Sequence, residues 1–338
     1  MRASTEFVRA GNWVFGTGLR GAAAPDLFRR MEAGLEAAGS SMSRVARVDQ
    51  YYPDLSCVAP YQAARKKAFE HRQVAPSTSV LVSKLQHPAS QVDVQVMAAT
   101  SASGYVPTEV HTGLNRPDSS GYAPCLRVGD LIFVAGQLAR DAAGELAAHG
   151  VRAETEHLVQ HRLLPALQAA QSALDLVLKA QVYVSQPADI PAFWEVWKGA
   201  FGKRLPPTTV VPVHHPAFLT RAATVEVNLI AAHASARARV RDIPCEVNAR
   251  ILDRLLFVGA LSGPGALAQA AEIFSAAGSD LSKVVRALFF HARGAAPKAN
   301  QSTLVVSRKA SRRRTATIPG ATTAIASACG ACSSYSMS

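Results

Sequence analysis

The sequence predicts an α+β protein made of repeated units, each with a mixed β-sheet that is covered by two helices. The first observation is a short apolar strand that recurs three times, around Phe15, Phe133 and Phe257. These phenylalanines are 118 and 124 residues apart, a spacing equal to one ordinary domain. The second observation is the order of elements in the middle copy, which runs strands, helix, strand, helix, strand, strand. A repeat this long indicates tandem domains and not a solenoid.

The bulk composition agrees with this class. A chain of 338 residues fits two to three domains, and 49% apolar with 18% charged residues is typical of globular proteins. No apolar run reaches the length of a membrane span, and the first residues lack the apolar core of a secretory signal. The five cysteines are sparse and odd in number, which fits a reducing cytoplasm better than a disulfide framework. We therefore expect a cytoplasmic protein that does not enter the membrane.

Residues 1–100 form the first predicted unit, a divergent copy. A strand at 13–18 precedes a helix that Pro25 opens and Gly39 closes. The expected elements that follow are a strand at 45–52, a helix at 61–69, and strands at 79–82 and 91–98. Residues 101–121 are rich in Gly, Pro, Ser and Thr and are predicted to be a linker.

Residues 122–235 form the second unit, which carries the clearest pattern. Its expected elements are a strand at 131–136, a helix at 154–174, a strand at 180–184, a helix through Trp197, and closing strands at 208–213 and 223–231. The glycine that closes the first of these strands, Gly136, lets the backbone approach a neighbouring strand or a ligand.

The third unit, residues 245–293, is predicted to be partial. It contains a strand at 255–260, a helix at 266–277 and a strand at 287–290, after which the pattern stops. Residues 294–338 are rich in Ser, Thr, Ala and Arg and carry no acidic residue, so we expect a disordered or out-of-frame-like tail.

The net charge of +12 raises the question of nucleic-acid binding. Six of those charges lie within 295–338, and the other six are spread over the preceding 294 residues. That density is typical of a solvated surface, so nucleic acid ranks last among the partners considered.

The middle unit resembles the RidA family, also called the YjgF family. The resemblance rests on Gly121-Tyr122-Ala123-Pro124, on the run from Val128 to Leu138, on Lys179 to Val184, and on Thr224 to Val227. It implies small α+β domains that assemble as trimers with ligand clefts between subunits. Three units in one chain then imply an intramolecular pseudo-trimer; the alternative is association of units from separate chains.

The resemblance also implies a site that hydrolyses enamine or imine intermediates to keto acids and ammonia. Glu226 takes the position of the catalytic Glu that handles water, and Tyr122 takes that of the Tyr that lines the cleft. The implied substrate-binding residues are Gly136, Thr208, Ser77 and Asp93. Thr208 and Ser77 stand where the family has a carboxylate-binding Arg, and Asp93 takes the Glu position in the first unit.

Three functions follow from this pattern of matches and departures. The first is an imine or enamine deaminase, a hydrolase acting on a small molecule. The second is a small-molecule binder without catalysis that uses the cleft between units, since the family Arg is absent. The third is an RNA-binding or ribonuclease-like protein, which the basic balance permits but which lacks aromatics interleaved on a basic face.

No cofactor or metal is expected. His157 and His161 have the helical spacing of two zinc ligands, but the zincin glutamate is missing between them. Cys329 and Cys332 form a lone CxxC without a second pair. We expect the histidines to pack and the cysteines to have no metal role.

Overall fold

The computed structural model describes residues 6–21, 23–85, 87–114, 121–213, 217–263, 265–291 and 323–330. Three β-sheets follow one another along the chain, and helices pack on them. The α+β class predicted from the sequence is confirmed. Among the described residues, no helix is long and apolar enough to cross a membrane.

The first sheet has the strand order β1-β2-β5-β3-β4. Its strands are β1 (Phe7–Ala10), β2 (Trp13–Gly21), β3 (Val45–Tyr52), β4 (Ser77–Leu81) and β5 (Val92–Ala99). Only β3 and β4 pair in parallel; the other neighbours are antiparallel. Helices α1 (Ala24–Ala37) and α2 (Val58–Ala68) pack against each other, with α1 against β2. Proline in the first turn opens α1, because proline there costs no hydrogen bond.

The second sheet repeats this plan with one more strand, in the order β10-β9-β11-β8-β7-β6. Its strands are β6 (Thr108–Glu109), β7 (Cys125–Val128), β8 (Leu131–Gln137), β9 (Val177–Val184), β10 (Thr208–Pro212) and β11 (Val225–Ala232). Again one pair, β9 with β10, is parallel. The stretch predicted to be a linker therefore supplies the edge strand β6.

The long helix of the second unit begins at Val151, three residues before the predicted start, and is interrupted. It consists of α3 (Val151–His157), a π-helical stretch from Leu158 to Leu163, and α4 (Leu164–Ala169). Such π segments often occur at functional sites. Helix α5 (Ile190–Phe201) completes the layer and buries Phe193, Trp197 and Phe201.

The third sheet has the order β12-β13-β14-β16-β15. Its strands are β12 (Val240–Ile243), β13 (Ala249–Leu252), β14 (Leu255–Ser262), β15 (Val284–His291) and β16 (Thr323–Gly330), and its helix is α6 (Ala266–Ala276). It thus begins before the predicted boundary at residue 245.

Strand β16 corrects the expectation of a wholly disordered 294–338 segment. It lies between β14 and β15, the place that β5 and β11 hold in their own sheets, but it runs parallel to both neighbours where those run antiparallel. A stretch of small and apolar residues at 324–328 explains why a strand forms here, because composition averaged over the whole segment hides it. The rest of 292–338 lies outside the described residues.

The three sheets pack around a common axis. Phe15, Phe133 and Phe257, the residues that mark the repeat, share one buried cluster. Farther along the axis, the rings of Tyr51, Tyr183 and Phe290 meet in pairs with centroids 5.9–6.4 Å apart. These aromatic residues come from equivalent positions of β3, β9 and β15, so the axis relates the sheets by an approximate three-fold repeat.

Candidate functional site

Neighbouring sheets meet at three junctions. At the first junction, β4 of the first sheet lies against β8 of the second. At the second junction, β10 of the second sheet lies against β14 of the third, and at the third junction β15 lies against β2. All of the residues predicted to be functional except Asp93 fall at the first two of these junctions.

The first junction is organised by Gly136 and Glu226. They lie on the neighbouring strands β8 and β11, and a Cβ atom at position 136 would overlap the Glu226 Oε1 atom. The same Cβ would stand 3.2 Å from the Thr78 Cγ2 atom of the first sheet. Gly136 is therefore the residue that leaves room for the Glu226 carboxyl between the two sheets.

The Glu226 carboxyl is an unusual acid. Its side chain is buried, and burial raises its pKa to about 8 because a charge is poorly solvated there. The nearby Arg140 and Arg47 guanidiniums lower the pKa, and the Asp49 carboxylate raises it, but burial dominates. At neutral pH the group therefore holds its proton, as a carboxyl poised for proton transfer does.

Two arginines of the second unit lie at this junction, and Arg140 is within electrostatic range of the Glu226 carboxyl. Arg140, half-buried at the end of β8, donates to the Thr220 hydroxyl, while its Nε is buried without a partner among the described residues. Arg162, from the π-helical stretch, donates from Nε and Nη2 to Gln137 Oε1 at 3.1 and 3.0 Å. Burial, more than any neighbour, lowers the Arg162 pKa. Both groups bring positive charge to the first junction.

The first sheet contributes a third guanidinium. Arg65 on α2 is 1% exposed, and it donates to the Ser77 hydroxyl at 2.7 Å and to the Ala75 carbonyl at 2.8 Å. Tyr122, three residues before β7 of the second unit, lies within electrostatic range of both Arg65 and Arg162. Ser77 and Tyr122, predicted independently from two units, are therefore brought to the same junction.

Thr208 lies at the second junction, away from Glu226. Its hydroxyl accepts from the Trp197 indole at 3.1 Å and donates to the Pro206 carbonyl at 2.9 Å. A Cβ at Gly259 would stand 3.3 Å from the Thr208 carbonyl oxygen, so the backbones of the two sheets nearly touch. The second-unit set of Glu226, Tyr122 and Thr208 is thus split between two junctions, because a strand at a sheet edge faces the next sheet and not its own.

Asp93, the first-unit counterpart of Glu226, is also remote from the first junction. It lies on β5 and pairs with Arg20 at 3.1 Å, and Gln95 donates to it at 2.8 Å. Burial raises its pKa despite these partners. The structure therefore groups Ser77, Tyr122, Gly136 and Glu226, and places Thr208 and Asp93 elsewhere.

Sequence reasoning missed Arg65, Arg140 and Arg162. Arg65 lies beside Lys66 and Lys67 in a stretch that reads as a solvated helix face. One indication was available: Arg65 is four residues from both Tyr61 and Phe69, on the apolar stripe of the helix. A charge on a buried stripe marks a residue with an internal partner.

The structure adds no support for a metal. Over the described ranges, no group of three or more His, Cys, Asp or Glu side chains converges as metal ligands would. The rings of His157 and His161 are tilted by 41° with centroids 4.6 Å apart, and His157 Nε2 lies 3.2 Å from the Arg140 carbonyl oxygen. The side chains of Cys329 and Cys332 lie outside the described residues.

Comparison with known proteins matches the second unit to a protein family. The family model described as endoribonuclease L-PSP matches residues 113–233. A RutC family protein of Pyrococcus abyssi is 30% identical over 93 residues, which cover 27% of this chain and 72% of the relative. A RutC family protein of Pyrococcus horikoshii is 28% identical over 119 residues, which cover 35% of this chain and 91% of the relative.

Solved structures match over a similar share of the chain. A Mycobacterium tuberculosis protein described as a member of the YjgF/YER057c/UK114 family shares 28% identity, with a TM-score of 0.33, over 37% of this chain and 98% of its own. A RidA from an Antarctic Psychrobacter species shares 23% identity, with a TM-score of 0.34, over the same shares.

Proposed function

The chain belongs to the RidA (YjgF) family, and on that premise we propose that its first junction binds a 2-imino acid and hydrolyses it to a keto acid and ammonia. One observation carries the proposal. A buried carboxyl with a pKa near 8, Glu226, lies between two sheets with guanidinium groups around it. The guanidinium groups suit the carboxylate of a small anionic substrate, and the Glu226 carboxyl suits a reaction in which the imine nitrogen gains and loses protons.

The substrate carboxylate is assigned to the cationic side of the junction. The family's carboxylate-binding Arg is absent at Ser77 and Thr208, but Arg140 and Arg162 bring guanidinium groups to the same region. A guanidinium is well shaped for a carboxylate, and a charge-assisted hydrogen bond contributes about 1.5–3 kcal/mol. Arg140 is the better candidate, since its Nε is buried without a partner among the described residues.

The chemistry follows from the protonation state of Glu226. The protonated carboxyl donates its proton to the imine nitrogen, and the iminium that forms is stabilised by the carboxylate left behind. Water then adds to the iminium carbon while that carboxylate accepts a proton from the water. The Glu226 carboxyl passes that proton to the amino nitrogen and, as the carbon–nitrogen bond breaks, its carboxylate accepts the proton of the carbinol hydroxyl. Ammonia leaves, the carbinol oxygen becomes the keto oxygen, and the carboxyl is protonated again.

Ser77 and Tyr122 complete the junction. The Ser77 hydroxyl is fixed by the Arg65 guanidinium and is left with its own proton to donate. Tyr122 is within electrostatic range of the Arg65 and Arg162 guanidiniums, and its phenol can hold the oriented water or the substrate. Neither residue needs to change its protonation state for these tasks.

The test is hydrolysis of freshly generated 2-iminopropanoate by the full chain. We expect ammonia and pyruvate to appear faster than in buffer, in proportion to protein concentration. No acceleration over buffer with folded protein would contradict the proposal for this substrate.

Binding without hydrolysis is the second candidate, and the neutral residues Ser77 and Thr208 at the family's Arg position favour it. For this candidate we expect at least one compound from a panel of small metabolites to raise the melting temperature of the protein, while the protein does not hydrolyse 2-iminopropanoate. The name of the matched family model brings RNA in as a further substrate to assay. RNA binding would be marked by a steep salt dependence that survives removal of residues 295–338.

A further inference from the structure

A small cavity lies on the axis where the three sheets meet. Its volume is about 20 Å³, and strands β3, β9, β11 and β15 line it. Arg47, Lys179 and Arg286 occupy equivalent positions on three of these strands, and Asp49, Gln181 and Leu288 occupy the next inward-facing positions. The repeat therefore brings three cationic side chains together around one cavity.

The charges around the cavity do not balance. Asp49 is the one carboxylate in the lining, and it is already engaged by Arg47 at 2.8–2.9 Å and by Arg286 Nη2 at 2.8 Å. Lys179 has only neutral partners, the Thr209 hydroxyl at 2.7 Å and the Val258 carbonyl at 2.6 Å. Burial and the Arg286 guanidinium lower the pKa of Lys179 to about 7, so the cluster holds two fixed cations, one carboxylate and a lysine that an anion would keep protonated. Such a buried cluster favours a further negative charge.

Two donors in the lining are unused. Arg286 Nε and Gln181 Nε2 are buried and have no hydrogen-bond partner among the described residues. Both side chains are 6% exposed and both line the cavity. Buried polar groups are nearly always paired, so two unpaired donors at one cavity indicate an acceptor within it.

We propose that this axial cavity binds one small monovalent anion, a halide such as chloride. The volume admits a single atom of about the size of water and excludes phosphate, sulfate and carboxylates. A water molecule would satisfy the two donors, but it would leave the excess positive charge in place. The anion satisfies both, and it holds the three sheets together because each contributes a cationic group.

Thermal unfolding of the full chain tests the proposal. The melting temperature is measured in sodium chloride, sodium bromide and sodium gluconate at equal ionic strength, since gluconate is too large for the cavity. We expect a chloride- and bromide-dependent rise of about 2–4 °C over gluconate. Equal melting temperatures in the three salts would overturn the proposal.

Gln181→Glu gives the matched variant. It places a carboxylate in the cavity without changing its volume, at the position equivalent to Asp49. We expect the variant to lose the difference between chloride and gluconate, whereas Gln168→Glu, the same change at an exposed helical position, keeps it. A difference that persists in Gln181→Glu would count against the site.

Crystals of the natural protein grown in bromide decide the matter even where the variant does not fold. We expect an anomalous bromide peak within hydrogen-bond distance of Arg286 Nε and Gln181 Nε2. An ordered water at that place, with no anomalous signal, would overturn the proposal.

Discussion

The first and second junctions are built on the same plan but differ at one interior position. In the first sheet, Arg65 of α2 donates to the Ser77 hydroxyl at 2.7 Å. In the second sheet, the equivalent residue of α5 is Trp197, which donates to the Thr208 hydroxyl at 3.1 Å. The hydrogen bond is conserved between the two repeats, but the donor changes from a cation to a neutral indole.

Because of this difference, the first junction contains buried charged groups, whereas the second is filled by closely packed backbone. Beyond Ser77 lie Tyr122 and the Glu226 carboxyl, which Gly136 accommodates. Beyond Thr208, the backbone of β10 approaches Gly259 to 3.3 Å from where a Cβ would be, which leaves the strands in close contact. On the proposed function, two copies of one scaffold serve different ends: the first junction binds the substrate carboxylate, and the second holds two sheets together.

The largest effect is expected from removing the acid of the first junction. Glu226→Gln keeps the shape but cannot donate the proton, so we expect hydrolysis of 2-iminopropanoate to fall by roughly 100- to 10,000-fold. Glu195→Gln, the same change on an exposed helix position, should leave the rate unchanged. Near-natural activity in Glu226→Gln would remove the distinction between the junctions.

Adding one methyl group to each junction separates function from stability. Gly136→Ala displaces the end of the Glu226 side chain, so we expect a rate loss of roughly 100-fold. Gly259→Ala meets the carbonyl oxygens of Asn248 and Thr208 at 3.2 and 3.3 Å, and backbone cannot yield as a side chain can. We expect it to lower the free energy of unfolding by about 1–3 kcal/mol without altering the rate.

The two experiments share their readouts, namely the rate of ammonia release and the midpoint of urea unfolding. A Gly259→Ala variant that loses activity while it remains folded would show that the second junction also takes part in the reaction.

Much of the fold could be predicted because the repeat carries its own pattern. The three strands around Phe15, Phe133 and Phe257 could be predicted from apolar runs between turn residues, and the phenylalanines do share one buried cluster. Strand β16 could not be predicted in the same way. It lies in a segment without sustained periodicity, and its place in the sheet depends on long-range pairing with β14 and β15.

The candidate site was predictable only within one unit. Gly136 and Glu226 follow from the resemblance of a single repeat, and they are indeed neighbours on adjacent strands. That Ser77 lies at the same junction as Gly136 and Glu226 depends on how the first sheet packs against the second. The sequence pattern of a single unit carries no information on this packing. The burial of Arg65 was not predicted either. Lys66 and Lys67 beside it make this part of the helix look exposed to solvent.

A smaller effect is expected from removing the charge that distinguishes the two junctions. Arg65→Met keeps an extended apolar chain but removes the cation near Tyr122, so we expect KM for 2-iminopropanoate to rise by up to roughly tenfold. Trp197→Phe makes a change of similar extent at the equivalent position, and it should leave KM unaltered. Trp197→Phe loses one buried hydrogen bond and should lose about 1–3 kcal/mol of stability, whereas Arg65→Met loses two and should lose more. Equal KM values in the two variants would indicate that the charge of Arg65 does not reach the substrate.

The smallest effect is the pH dependence, which follows from the Glu226 pKa of about 8. Because the reaction begins with the protonated carboxyl, kcat/KM should be level near pH 7 and fall above pH 8, by at most tenfold per pH unit. Folding raises this pKa from 4.5, so the folded state binds the proton more tightly than the unfolded chain. The stabilisation is complete below pH 4.5 and is lost as the pH rises through 8. Glu226→Gln removes this group from the stability profile, which makes it the control for both measurements. A rate that rises through pH 8 would mean that Glu226 acts first as a base, and that the substrate arrives already protonated.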